Sequence, residues 1–276
     1  MTVIDLTDPD MAYLMGFLQT DGHMSQGAGN KGRLSIELAE RDAHILLVFQ
    51  SMFSTYTSIH NRERDTNFKE KYRSSVLTLC DLETRTLLNS LGLPYGKKSK
   101  VVSPPSVPFS EVDYYRGIID GDGSLGLTES GHPFLSLTTS SKELTVCYLT
   151  FLFGLTGKRK TSKPTTRDRV YNPCVLKEDA QIVVSALYYE GCTCLDRKRQ
   201  MAEVVLRWSR PTDMRKRNFD VKRWTPKEDT VVRGHSVPDA ARILGRTEKS
   251  VRIRAFRLKH GMVGPYQDNT EVLTCR

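Results

Sequence analysis

The sequence predicts an α+β fold with antiparallel sheets: two pseudo-symmetric αββαββα repeats followed by a small all-α C-terminal domain. Three observations carry that prediction. The chain aligns with itself at an offset of 101 residues, the two copies pass through helical and strand patterns in the same order, and the surplus of positive charge is confined to the last quarter. The implied divisions are 1–103 and 104–206 for the repeats, 207–223 for a basic linker, 224–264 for the helical domain and 265–276 for a tail.

Composition narrows the function. A chain of 276 residues has room for about two domains and a buried core. No apolar run approaches the roughly 18–20 residues of a membrane helix, and residues 1–10 carry acids without a base, unlike a targeting peptide. Six cysteines at 80, 147, 174, 192, 194 and 275 form no CxxC pair, which points to reduced thiols in a soluble intracellular protein rather than a disulfide framework or a zinc site. The net charge of +9 favours a polyanionic partner. Residues 1–206 hold 24 Lys+Arg against 24 Asp+Glu, whereas residues 207–276 hold 17 against 8.

The repeat is read from several stretches. YLMGFLQTDGHM (13–24) falls on YRGIIDGDGSLG (115–126), pairing Gly16 with Gly117, Asp21 with Asp122 and Gly22 with Gly123. RLSIELAERDAHIL (33–46) falls on FLSLTTSSKELTVC (134–147), and, after one register slip, Lys98 stands opposite Lys198. In each copy a helix (9–21; 111–122) ends at Asp-Gly, alternating strands follow (33–39; 133–139), and an apolar-periodic helix comes next (42–54; 142–155). A basic two-strand region (56–79; 157–176) and a final helix (81–91; 178–189) then lead to a lysine-bearing turn. Alternate side chains of a strand share a face, so one face of such a ribbon packs on helices while the other presents bases outward. The bases in question are Arg33, Arg62, Arg64, Lys69, Lys71 and Arg73 in the first copy, and Lys158, Arg159, Lys160, Lys163, Arg167 and Arg169 in the second. A two-stranded ribbon fits a DNA major groove.

The chemistry is expected at the two Asp-Gly helix ends. Small residues four apart, Gly16 with Thr20 and Gly117 with Gly121, let the two helices approach closely. Gly22 and Gly123 suit left-handed C-caps, leaving Asp21 and Asp122 at the last helical position. A carboxylate there opposes the helix dipole by roughly 0.3–1 kcal/mol. Two such anions at one interface raise each other's pKa unless a cation separates them, and Mg²⁺ suits carboxylates that share it with phosphate oxygens. A lone Asp-Gly is ordinarily only a turn; two in register with a repeat are not.

LMGFLQTDG (14–22) and YRGIIDGDG (115–123) resemble the two motifs of single-chain LAGLIDADG homing endonucleases, over about residues 10–206. The resemblance implies a saddle of two antiparallel sheets on double-stranded DNA, a monomer with internal pseudo-two-fold symmetry, and metal-dependent cleavage across the minor groove. It implies Asp21 and Asp122 as ligands of Mg²⁺ or another divalent cation such as Mn²⁺, Lys98 and Lys198 as peripheral active-site lysines, and a water-positioning side chain at Glu40, with Ser141 its weaker counterpart. Lys97 and Lys100 flank Lys98, and an exposed basic turn competes with the catalytic reading. Arg116, Gln19 and Thr20 depart from the family pattern in ways that touch helix packing.

Beyond the linker, Thr225, Pro226 and Glu228 compose a capping box, a second helix spans from near Val237 to Gly245, and Thr247 caps a third, Arg-rich helix. With Trp224, Ala240, Ala241 and Leu244–Thr247 this resembles a Myb/SANT-like helix-turn-helix, which implies DNA contacts from Arg252, Arg254 and Arg257. Linker bases Arg215, Lys216 and Arg217 are expected on phosphates, against a competing reading as a merely solvated linker. Two functions remain open: a site-specific double-strand endonuclease serving intron homing, and a non-cleaving nucleic-acid-binding protein such as an intron maturase or a derived transcription regulator.

Overall fold

The computed structural model describes residues 4–65, 71–212, 214 and 224–263. They fall into two compact units, the first ending at Arg210 and the second beginning at Pro211. Among them no helix is long and apolar enough to cross a membrane.

The first unit is organised around two helices, α1 (Pro9–Thr20) and α4 (Glu111–Asp122). Helix α1 starts where the Asp8 carboxylate accepts the Asp10 and Met11 amides and Pro9 fills the first turn. Both helices are buried over most of their length, as a central pair must be. Their contact is reciprocal. A Cβ added to Gly16 would lie 2.2 Å from the Tyr114 carbonyl oxygen, and one added to Gly117 would lie 2.2 Å from that of Tyr13. The Tyr13 hydroxyl donates to Asp120 at 2.8 Å, and the Tyr114 hydroxyl donates to Gln19 at 2.5 Å. Each of these pairs maps onto the other by the 101-residue offset.

In the first copy α1 is followed by β1 (Gly22–Met24), β2 (Leu34–Ala39), α2 (His44–Met52), β3 (Thr57–Arg64), β4 (Tyr72–Leu79) and α3 (Leu82–Ser90). The sheet order is β1-β2-β4-β3, antiparallel throughout. Leu34, Ile36 and Leu38 point inward while Ser35 and Glu37 point outward, the period-2 pattern of a half-covered sheet. In the second copy α4 is followed by β5 (Gly123–Leu127), β6 (Pro133–Leu137), α5 (Lys142–Thr156), β7 (Cys174–Leu176), α6 (Glu178–Leu187) and α7 (Asp196–Leu206), with sheet order β5-β6-β7. One apolar core runs through both copies, from Leu6 to Val205.

Three expectations are corrected here. Residues 157–173 hold no strand apart from a single bridge between Thr139 and Tyr171. Pro164 and Pro173 lack the amide donors of a ladder, so pairing resumes only with β7. Lys198 lies on helix α7 rather than on a turn. Finally, neither Gly22 nor Gly123 takes a positive φ. The chain runs straight from helix into strand, and a Cβ would lie 2.6 Å from the Leu18 carbonyl oxygen at Gly22 and 2.7 Å from that of Ile119 at Gly123. Glycine is needed there for space, not for left-handed backbone. Among the cysteines, Cys80, Cys174, Cys192 and Cys194 are free thiols.

The second unit holds α8 (Pro226–Gly234), α9 (Val237–Leu244) and α10 (Glu248–Lys259). Thr225 and Glu228 form a reciprocal capping box, Ser236 caps α9, Gly245 ends it in the left-handed conformation, and Thr247 caps α10. Val232, Ala240, Ala241 and Val251 make a small core.

Candidate active site

The paired helix ends bring two carboxylates to one place. Asp21 caps α1 and Asp122 closes α4. A Cβ on Gly121, the neighbour of Asp122, would stand 3.2 Å from an Asp21 carboxylate oxygen, so Asp21 lies directly over the end of the other helix. Both aspartates remain exposed at the surface of this junction. Crowding by the packed helix ends, and then the charge of Asp122, push the Asp21 carboxyl up to about 6, against the opposing pull of Lys98 and Arg197. Asp122 is raised for the same first reason and held down by Lys98. A cavity of about 120 Å³ adjoins Asp122, walled by Gln19, Thr20, Ser99, Thr138 and Ser140.

The lysines divide by burial. Lys98 is half-buried and donates to the Thr20 carbonyl at 2.5 Å, while Lys97 and Lys100 are exposed, which singles out Lys98 within its cluster. Burial lowers the Lys98 ammonium pKa, and Asp122 and Asp21 raise it. Lys198 is only 5% exposed and donates to the carbonyls of Ile119 at 3.2 Å and Gly123 at 2.6 Å. Burial brings its pKa down to about 8, Asp120 resisting. Each lysine thus supplies cationic donors to the carbonyls that end its own copy's central helix.

The polar residue three turns into each helix ties that end to its lysine. Gln19 donates to the carbonyls of Gly92 at 2.7 Å and Ser103 at 3.0 Å, on either side of Lys98. Asp120, fully buried, accepts from Tyr13, from Tyr188 at 2.7 Å and from the Leu195 amide at 2.7 Å, just ahead of Lys198. Arg116 is a buried cation paired with Asp113 at 2.6 Å, stacked over Tyr13 and Tyr189, and bonded to the Thr193 and Leu187 carbonyls.

Glu40 is exposed at the end of β2, 3.9 Å from Arg73. Ser141 is fully buried, capping α5 through the Leu144 amide and donating to the Val102 carbonyl, so its hydroxyl is committed and cannot order water. Sequence reasoning missed Asp42 and Arg197. These two residues, 155 positions apart, pair across the copies with Arg197 Nε 3.0 Å from both Asp42 oxygens, and both act on Asp21.

The bases on the outer faces are placed unevenly. Arg62 and Arg64 share a face of β3 with Glu37 of β2 and pair with it at 3.6 and 3.0 Å. Arg73 pairs in register with Glu63 on the opposite face, because it is one residue out of step with Tyr72 and Ser74. Arg33 and Lys71 are exposed at strand ends. Lys158 and Lys160 converge on Asp179 at 2.5 and 3.2 Å, Arg159 lies over Phe153, Arg167 pairs with Asp168, and Lys163 and Arg169 are exposed, all on a loop rather than a ribbon. In the second unit Arg252 and Arg257 are exposed. Arg254 is not: it forms a two-pronged pair with Asp229 at 2.7 Å and stacks on Trp224, which commits its guanidinium to the helical core. Lys69, Arg215, Lys216, Arg217 and the tail 265–276 lie outside the described residues.

No family model matches the chain, and no curated protein matches it. Solved structures do. The homing endonuclease I-WcaI, bound to its DNA recognition sequence, superposes with a TM-score of 0.54 at 14% identity, over 73% of this chain and 88% of that one. The fold is that of a homing endonuclease. Mesophilic variants of the homing endonuclease I-DmoI give 0.49 at 15% identity over 72% and 99% of the two chains, and the LAGLIDADG homing endonuclease I-GzeII with its DNA target gives 0.47 at 11% over 71% and 88%. At such identities the likeness is one of fold, and the chemistry has to be argued from the helix ends themselves.

The donor set fits a hard divalent cation. Among the described residues no group of three His, Cys, Asp or Glu side chains could cage a metal. Two exposed carboxylates that repel each other suit a hard cation that keeps several waters and shares phosphate oxygens, as Mg²⁺ does.

Proposed function

We propose that this chain is a site-specific double-strand DNA endonuclease of the single-chain LAGLIDADG class, hydrolysing one phosphodiester on each strand across the minor groove. The observation that carries the reading is the pairing of Asp21 and Asp122 at two helix ends held together by the reciprocal glycine contacts of α1 and α4. The repeats 1–103 and 104–206 would form a pseudo-two-fold saddle, acting as a monomer on double-stranded DNA. Asp21 and Asp122 would hold Mg²⁺ or Mn²⁺. Such an ion offsets charge on the attacking and leaving oxygens of an in-line displacement.

The chain's own groups do the rest. Lys98, whose ammonium faces both carboxylates, would stabilise negative charge at the phosphate. Lys198 would hold the α4 end, and with it Asp122, in place. Glu40 would orient water at one centre, where its counterpart Ser141 has no free hydroxyl. The outer sheet faces with Arg33, Arg62, Arg64 and Lys71, and the loop bases Lys163, Arg167 and Arg169, would meet phosphates and base edges. The segment 207–223 would serve as a basic linker, and 224–264 as a Myb/SANT-like module that adds phosphate contacts through Arg252 and Arg257.

The test is purified full-length protein with Mg²⁺ on a plasmid library carrying randomised sites. Linearised plasmids sharing a sequence are expected, with cleavage lost and binding retained in Asp21→Asn and Asp122→Asn. Tight binding of a discrete sequence without cutting would replace the nuclease by a regulator.

A further inference from the structure

Arg197 is a charged group that the fold anchors on one side and leaves open on the other. Arg197 stands on the second residue of α7 in the second copy, yet its partner, Asp42, belongs to the short turn between β2 and α2 in the first. Asp42 is 8% exposed and both its oxygens hold Arg197 Nε at 3.0 Å; His44 and Asp196, beside them, sit 3.5 Å apart. This anchors the arginine by its stem side. The two terminal nitrogens carry no hydrogen bond from the described residues, and the side chain is 39% exposed. A guanidinium held at Nε presents its other edge as a planar fork, the shape that binds two phosphate oxygens at once.

Arg197 adjoins Lys198, whose ammonium is bonded to the end of α4 over which Asp21 stands, and its charge pulls the Asp21 carboxyl down. Lys198, the lysine expected at this position, is instead buried beneath the end of α4 with its donors on two carbonyls. The other centre is built differently. Lys97, one hundred residues before Arg197, is exposed and has no carboxylate partner among the described residues, and Glu143, the counterpart of Asp42, is exposed. The arrangement is therefore one-sided.

We infer that Arg197, positioned by Asp42, clamps the DNA phosphate at the Asp21 centre, so that the two strands are cut by unlike sites. The inference rests on the nuclease reading above. Asp42 is a positioning residue; Arg197 touches the phosphate.

Two measurements test it on the full-length protein and a selected duplex target. In the first, strand-specific cleavage is followed with each strand end-labelled, in wild type, Arg197→Ala and Arg197→Lys. Arg197→Ala is expected to slow one strand about 100-fold, the usual loss for one donor aimed at developing charge, and the other less than about threefold, so that nicked product accumulates. Arg197→Lys keeps the pair with Asp42 and guards against misfolding; it should show the same one-strand loss with an unchanged Tm. Equal slowing of both strands, or of neither, overturns the clamp. In the second, affinity is measured without cleavage for duplexes carrying a single neutral methylphosphonate at each central phosphate in turn. Wild type should lose at least about tenfold at one phosphate where Arg197→Lys loses little more. If both proteins respond alike at every position the clamp is overturned, even should wild type bind and never cut, an outcome that sinks the nuclease reading alone.

Discussion

Gly117 lies so close to Tyr13 that a single added methyl group would stand 2.2 Å from the tyrosine's carbonyl oxygen, and Gly16 stands in the same relation to Tyr114. Neither neighbour is a flexible side-chain tip; both are helix backbone. Gly117→Ala must therefore push α1 and α4 apart, at a cost of about 3 kcal/mol or more despite alanine's better helix propensity. A fall in Tm of several degrees by calorimetry is expected, with Gly16→Ala matching it. Gly154, which has open space around its missing Cβ, is the control and should tolerate alanine.

The second unit depends on one arginine for folding and on others for binding. Arg254 pairs with Asp229, itself 1% exposed, so Arg254→Ala takes a two-pronged cationic partner from a buried carboxylate and should cost about 3–5 kcal/mol, enough to melt so small a core. Loss of α-helical signal and a shift of Trp224 fluorescence would report it. Arg252→Ala and Arg257→Ala should leave those signals alone and instead reduce the salt dependence of DNA binding, by a slope of about 0.9 for each phosphate contact removed.

How much of this was legible beforehand follows from what each residue reports. The 101-residue offset located both aspartates and the reciprocal glycines, and a slip of one residue from it located both lysines, because close helix contact and paired carboxylates leave marks on residue type at fixed spacing. The second basic ribbon failed because charge pattern outweighed Pro164 and Pro173, whose missing donors break a ladder. Arg85 shows a deeper limit. It is fully buried, its guanidinium satisfied by the carbonyls of Cys80, Ser25, Gly27 and Gly29, and carbonyls leave no trace in a sequence. The Asp42–Arg197 pair escaped for a related reason: it joins the two copies across 155 positions and has no equivalent in the repeat.

Asp21 is a residue the fold tolerates rather than uses. Its pKa of about 6 in the folded chain lies above the ordinary 3.8, so proton uptake favours the folded state, fully below pH 3.8 and not at all well above pH 6. At neutral pH the carboxylate is a net burden, reduced by its solvent exposure. Asp21→Asn should thus raise Tm at pH 7.5 by about 1–3 °C, and the gain should shrink as pH falls from 6 to 4. A lower Tm at pH 7.5 would mean that the carboxylate is stabilised by contacts that outweigh its crowding.

On the proposed nuclease reading, the same carboxyl should set the pH dependence of cleavage. A metal ligand must be ionised, so protons and metal compete for Asp21. With Mg²⁺ held below saturation, the cleavage rate should be level above about pH 7, bend near pH 6, and fall by up to about tenfold per unit below it. Raising Mg²⁺ at pH 5.5 should restore the rate, since bound cation pulls the Asp21 proton off and moves the bend to lower pH. Asp122 is raised in the same direction and pulled back by Lys98, so Lys98→Met should move the bend upward as well as slow the reaction. Single-turnover rates from pH 5 to 8.5 at two Mg²⁺ concentrations separate these effects. A profile that is flat through pH 6 at the lower concentration would remove Asp21 from the metal site and leave the two helix ends as a packing feature alone.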